Sequence, residues 1–280
     1  MAGYLHDVVG DGTLSYEEEA EAGRAANEFS VSLISSENKL IGSATLVSIG
    51  NIHGLLTADH VWHHLKGGHH FCMVLGSQLL QRFEYPFGEC RAIIVGKYSP
   101  DHAEQGPDLT FIRLDHPLKL ETIKARQSFY PLDAEKGEVF KGIQYNRSAW
   151  LVWGAPGEQC SRSATGTGEP ILRITHFTGA GDFQEKVDRD GFDYVKIKIT
   201  SGSNNFPNKY GGVSGGGVWI PYRLSEDPEG KVLKPTVHIL LAGVAYFQIE
   251  EEPNYKTLIL HGPKSIYERV IHQVLHAETD

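Results

Sequence analysis

Residues 29–58, FSVSLISSENKLIGSATLVSIGNIHGLLTA, hold three short runs rich in β-branched and apolar residues: FSVSLIS, SATLVSI and HGLLTA. Polar or glycine-containing breaks separate them, and no stretch repeats apolar residues at helical spacing. The pattern continues downstream. FCMVL, CRAIIVGKY, LTFIRL, GEVFKGIQY, WLVWGA, ILRITHF, DYVKIKI, GGVWI, HILLAGVAYFQI and TLILH follow in order. So many short strands with no helical run between them predict an all-β chain of barrels or sandwiches.

The two ends read differently. Ser15-Tyr-Glu-Glu18 has the spacing of a capping box, and EAEAGRAANEF follows it, which predicts a short helix over 15–28. Pro263 opens PKSIYERVIHQVLHAE, with Ile266, Val270, Ile271, Val274 and Leu275 on one helical face. The polar stretch 115–135 is poor in strand signal and is the expected interdomain crossing. The resulting plan is a helical N-terminal extension (1–28), an N-terminal barrel (29–125), a C-terminal barrel (126–262) and a C-terminal helix (263–280).

Composition narrows the class. A chain of 280 residues with 40% hydrophobic and 22% charged residues is a folded globular protein. With 35 acids against 26 bases the net charge is −9, which disfavours nucleic acid as a partner. No apolar run approaches the roughly 20 residues that span a bilayer, so no membrane partner is expected. Cys72, Cys90 and Cys160 cannot all pair, which disfavours a disulfide framework and predicts a cytoplasmic protein.

Lys209-Tyr-Gly-Gly-Val-Ser-Gly-Gly-Gly-Val218 sets five glycines around one serine. Such a backbone reaches conformations closed to other residues and can expose a nucleophilic hydroxyl. By itself it also fits a glycine-rich turn, and no Gly-Lys-Ser/Thr follows to make it a phosphate loop. A serine nucleophile needs a base, and the base an orienting carboxylate. Leu55-Leu-Thr-Ala-Asp-His60 ends an apolar strand in a histidine, and Pro107-Asp108-Leu109 places an aspartate at the start of another.

The order His60, Asp108, Ser214 on a strand-rich chain resembles the chymotrypsin/trypsin-like serine proteases over residues 29–275. The resemblance implies two packed antiparallel β-barrels and a serine endopeptidase acting on protein or peptide substrates without a cofactor. It implies that Ser214 attacks, His60 carries the proton, Asp108 orients the imidazole, and the N–H groups of Gly212 and Ser214 form the oxyanion hole. It further implies a specificity pocket with Asn208 at its base and Tyr246, Phe247 and Gln248 along one wall. An uncharged base disfavours Arg or Lys at the cleaved position. Val213 stands where zymogen-type members carry an aspartate, so the N-terminal ion-pair switch has no acceptor. That implies a non-zymogen, intracellular type whose control comes from elsewhere, such as a regulatory protein partner.

Other readings weigh less. Asp101 and Asp115 compete for the acid role, but neither directly precedes an apolar strand. Gly212–Gly216 satisfies the Gly-x-Ser-x-Gly elbow of α/β-hydrolases, which would need alternating helices and a histidine after the serine, from His238, His261, His272 or His276. His60, His63, His64, His69 and His70, with Cys72 nearby, suggest a metal, but without a His-Glu-x-x-His motif they read as surface histidines. Cys160 has no obvious partner histidine. Asp59 reads as solvated, on the strand alternation that would turn it away from His60. The alternative from another class is a catalytically silent, protease-like binding or sensing module.

Overall fold

The computed structural model describes residues 15–66, 68–75, 82–146, 148–164, 170–202, 206–223, 237–252 and 254–279. The first helix, α1 (Tyr16–Glu28), starts where the capping box places it. Ser15 Oγ accepts from Glu18 N at 3.3 Å, and Glu18 Oε2 accepts from Ser15 N at 2.9 Å. Ala22 and Ala26 are its buried residues, small enough for the helix to lie close on the strands beneath it.

Seven antiparallel strands then form the first sheet: β1 (Ser30–Ile34), β2 (Leu40–Ile49), β3 (Ile52–Thr57), β4 (His70–Leu75), β5 (Arg82–Pro86), β6 (Cys90–Gly96) and β7 (Leu109–Leu114). They lie in the order β5-β4-β1-β2-β3-β7-β6. A short β8 (Tyr130–Pro131) adds to β2 in parallel, pairing Val47 with Tyr130. Helix α2 (Asp59–Leu65) directly follows β3. This sheet curves over its own core but does not close among the described residues. It forms a half-barrel, which with the closed barrel below fits the expected two-barrel plan.

The second unit does close. Strands β9 (Trp150–Gly154), β12 (Phe177–Arg189), β13 (Phe192–Thr200), β14 (Gly217–Arg223), β15 (Val237–Glu252) and β16 (Tyr255–His261) form a six-stranded antiparallel barrel. A separate ribbon pairs β10 (Ser161–Ala164) with β11 (Pro170–Arg173). Val152, Val195, Ile197, Val218, Ile220 and Leu260 fill the barrel. A larger apolar cluster joins the first sheet to α1, to Trp153 and Trp219, and to the C-terminal helix.

Two expected elements differ. GEVFKGIQY, read as a strand, lies largely in helix α4 (Leu132–Gly142), and the strand-poor stretch before it contains helix α3 (Pro117–Lys124). The LDAEK residues upstream are good helix formers and carry the GEVF run into their helix, so neighbouring propensity overrides a short apolar run. At the C-terminus, Ser265–Val270 winds as a π-helix before α5 (Ile271–His276). The wider turn rotates the apolar stripe. Ile266, Val270 and Val274 stay buried, as does Tyr267, while Leu275 becomes exposed. Asp193, fully buried, starts this helix by accepting from Ser265 N at 2.7 Å and Lys264 N at 3.1 Å.

Candidate active site

His60 enters the site because β3 stops at Thr57. Ala58 is still extended, and α2 begins at Asp59, so His60 sits in the first helical turn at the end of an apolar strand. Asp108 precedes β7, the strand paired with β3. The two meet twice. His60 Nδ1 lies 2.6 Å from Asp108 Oδ2, and His60 N donates to Asp108 Oδ1 at 2.9 Å. Asp108 is 1% exposed. An Nδ1–H held by a carboxylate leaves Nε2 as the free acceptor of the imidazole. Of the competing acids, Asp115 pairs with Arg113 and Asp101 lies exposed in a short turn.

The serine loop comes from the other side, between the barrel and β2. Ser43 of β2, fully buried, threads it: Ser43 N donates to Ser214 O at 2.8 Å and Ser43 Oγ to Gly212 O at 2.8 Å. The same hydroxyl accepts from Ala155 N at 3.1 Å. Gly212 has φ +95°, and a Cβ there would lie 2.5 Å from Ala155 O. Only glycine fits. Gly211 O accepts from Gly157 N at 2.7 Å, and Val213 O from Gly216 N at 2.8 Å. A trans peptide sets its N–H opposite its C=O, so the N–H groups of Gly212 and Ser214 point away from those partners. Neither has a hydrogen-bond partner among the described residues. Ser214 Oγ contacts Tyr246 O at 3.5 Å.

His60, Asp108, Ser214, Tyr246, Phe247 and Gln248 line one cleft of about 240 Å³. Asn208 does not. It is exposed, and its N–H donates to Glu158. Tyr210 takes that part of the wall, its N–H held by Gln248 Oε1 at 2.7 Å. The fold is chymotrypsin-like. What places it there is a half-barrel carrying His60 and Asp108 against a closed barrel carrying the Ser214 loop.

No protein-family model matches the chain, and no curated protein matches it in sequence. Among solved structures, the serine endoprotease from Yersinia pestis aligns with 96% of this chain and 69% of its own, at 14% identity and a TM-score of 0.49. A structure from work on the coupled folding and binding of the intrinsically disordered Sesbania mosaic virus VPg protein aligns with 83% and 85%, at 12% identity and a TM-score of 0.41. Neither likeness speaks to chemistry. No helix among the described residues is long and apolar enough to cross a membrane.

Several residues here have no sequence signal of their own. Asp59 is fully buried, against the expectation of a solvated carboxylate. It accepts from Thr110 Oγ1 at 2.7 Å and Tyr98 N at 2.8 Å, with His63 Nε2 at 3.3 Å. Strand alternation fails there because the helix has already begun. Through Tyr98 N, Asp59 fixes a ring 5.4 Å from the His60 imidazole. His261, also fully buried, accepts from Asp108 N through Nε2 at 3.0 Å. Burial pushes its pKa down to about 3, so the ring is neutral, and its Nδ1 has no partner among the described residues. The three cysteines are free, and burial holds the Cys160 thiol up.

Proposed function

We propose that this protein is a serine endopeptidase that cleaves peptide bonds through an acyl-enzyme on Ser214. The observation that carries the reading is the 2.6 Å contact between His60 Nδ1 and a buried Asp108, at the edge of the cleft that Ser214 enters. In the proposed reaction the Ser214 hydroxyl adds to the substrate carbonyl and its proton passes to His60 Nε2. The tetrahedral oxyanion is received by the N–H groups of Gly212 and Ser214, each donor worth about 3–4 kcal/mol in other enzymes. His60 then protonates the departing amine, and water, deprotonated by the same imidazole, hydrolyses the ester. Asp108 keeps Nδ1 protonated and stabilises the imidazolium.

Among the described residues, the cleft walls supply no carboxylate besides Asp108, which His60 already engages. An Arg or Lys side chain would be desolvated there without a partner. Gln248, tied to Tyr210 N, narrows the wall and favours small or medium uncharged residues before the cut bond. The binding-module reading draws on the Ser214 hydroxyl, which contacts Tyr246 O rather than His60. Free serine hydrolases adopt such loose geometry before substrate aligns it. Covalent labelling by a fluorophosphonate separates the two. Labelling of the wild type that is lost in Ser214→Ala supports the peptidase. An unlabelled wild type supports the module.

A further inference from the structure

Strands β4 and β5 form the outer ribbon of the first sheet, with β5 at its edge. Phe71, Met73 and Leu75 turn into the core, which leaves His70, Cys72 and Val74 on the opposite face. The register sets Cys72 across from Glu84, and residues directly opposite in an antiparallel pair share a face. One ligand atom from each of His70, Cys72 and Glu84 therefore lies within 4.8 Å of the other two. Cys72 is sealed among Ile34, Val74, Ala155 and Ile174, His70 is half-buried, and Glu84 is exposed. None of the three side chains has a hydrogen-bond or ion-pair partner among the described residues.

We propose that His70, Cys72 and Glu84 form a zinc-binding site on the outer face of the first sheet. A nitrogen, a sulfur and an oxygen donor make a set of the borderline kind that zinc accepts. Zinc–ligand bonds of about 2.0–2.3 Å ask for donors closer together than 4.8 Å. Glu84, on an exposed edge strand, has the side-chain freedom to close the gap. Binding exchanges a proton for the metal: the Cys72 S–H bond breaks, the S–Zn bond forms, and the proton goes to water. Thiolate and carboxylate then balance the ion's charge, and a water would complete the four-coordinate shell. The metal-free thiol is held up by burial and by Glu84, so it is not poised as a nucleophile or redox sensor. None of the three residues lines the cleft, so the ion would staple the edge strand to the sheet and take no part in hydrolysis.

The test is cobalt(II) titration of the reduced full chain, followed by zinc in competition with a chromophoric chelator. The expected result is a saturable thiolate-to-cobalt charge-transfer band at one equivalent, displaced by zinc with a Kd below about 1 μM. Cys72→Ala abolishes the band, Cys90→Ser/Cys160→Ser keeps it, and His70→Ala and Glu84→Gln each weaken binding by about tenfold or more. Glu84 is exposed, so Glu84→Gln decides even if the cysteine variant fails to fold. A band that survives Cys72→Ala, wild-type affinity in Glu84→Gln, or the absence of saturable zinc binding would overturn the site.

Discussion

The two sides of the cleft are finished in different ways. On the half-barrel side, the Asp108 carboxylate is engaged by His60 Nδ1 and N, the Asp108 N–H by His261, and Asp59 by Thr110 and Tyr98. On the barrel side, carbonyl groups of the serine loop are tied down while the Gly212 and Ser214 N–H groups stay open. Under the proposed function, the contrast follows from what each side would meet. A base must hold one tautomer before substrate arrives, so its partners are built in. Donors for a developing negative charge are most useful when their directions are fixed and their partner is absent.

The severest break comes on the nucleophile itself. Under the proposed function, Ser214→Ala loses fluorophosphonate labelling and lowers peptide hydrolysis by on the order of 10⁴–10⁶-fold, with an unchanged unfolding midpoint. His60→Ala should fall as far, and the double variant no further, because the two act as a unit. Hydrolysis by the serine variant at the wild-type rate would end the assignment. The next break is in the backbone. Gly212→Ala puts a Cβ onto Ala155 O and strains a positive φ. It should cost about 10²–10³-fold in kcat, the scale of a lost oxyanion donor. Unchanged kcat in that variant would show that the loop's N–H directions do not matter.

Ser43 offers a subtler cut. Ser43→Ala leaves the Gly212 carbonyl and the Ala155 N–H without their partner. An expected loss of about 1–3 kcal/mol in stability should accompany a kcat reduced by about tenfold with KM little changed. Steady-state kinetics and denaturant unfolding of the same variant check both parts.

How far the sequence reveals this contrast depends on the kind of feature. Strands declare themselves where alternation or apolar runs are strong, as in LTFIRL and WLVWGA, and the Ser15 capping box marks α1 by chemistry local to four residues. The run at 137–145 misleads because its upstream neighbours are helix formers, and its helix is settled by packing. The openness of the first sheet is a matter of which edges pair, and no local pattern encodes it. At the site, His60, Asp108 and the glycine loop are legible by residue type and order. Asp59 and His261 are not, because each acts through a backbone amide supplied by a distant segment. Asn208 shows the opposite limit, since counting back from the serine lands on a residue that the loop turns outward.

His261, on β16 of the closed barrel and bonded to Asp108 N, supplies a pH signature for the support beneath Asp108. Its pKa of about 3 in the fold lies below the ordinary value of 6.5, so only the unfolded chain takes up its proton between those limits. Its contribution to stability is full above pH 6.5 and is lost as pH falls from there toward 3. Half-buried His176, 3.0 Å from Ser32 Oγ, adds a second proton between 6.5 and about 4. Each contributes at most about 1.4 kcal/mol per pH unit. Unfolding measured from pH 7 to 4.5 should show a slope approaching two protons from this pair. His261→Gln keeps an acceptor for Asp108 N and should reduce that slope by one proton. His261→Leu should also destabilise the chain by about 1–3 kcal/mol at neutral pH, because it orphans a buried N–H. An unchanged slope in His261→Gln would mean that the ring already titrates in the folded protein.

The smallest effect is expected at the chain's start, and it bears on how the barrel side acquires its open N–H groups. In proteases whose loop is set by a newly cut N-terminus, an acid beside the serine receives the new amine. Here that neighbour is Val213, 1% exposed, with its side chain in the barrel's apolar cluster beside Tyr210 and Val218. A Cβ on Gly154 would meet Val213 Cγ1 at 2.9 Å, so the valine fits against bare backbone and leaves no room for a charged group. The loop is instead shaped by bonds already present: Val213 N to Tyr210 O, Gly216 N to Val213 O, and Ser43 to both Gly212 and Ser214. Removing residues 1–14 should therefore leave kcat/KM within about twofold, a change of less than 0.5 kcal/mol by the usual conversion. Comparing peptide hydrolysis by the full and shortened chains decides it. A large activation on cutting near Val8 would mean that an amine does reach this loop, and that the barrel side is completed by a partner after all.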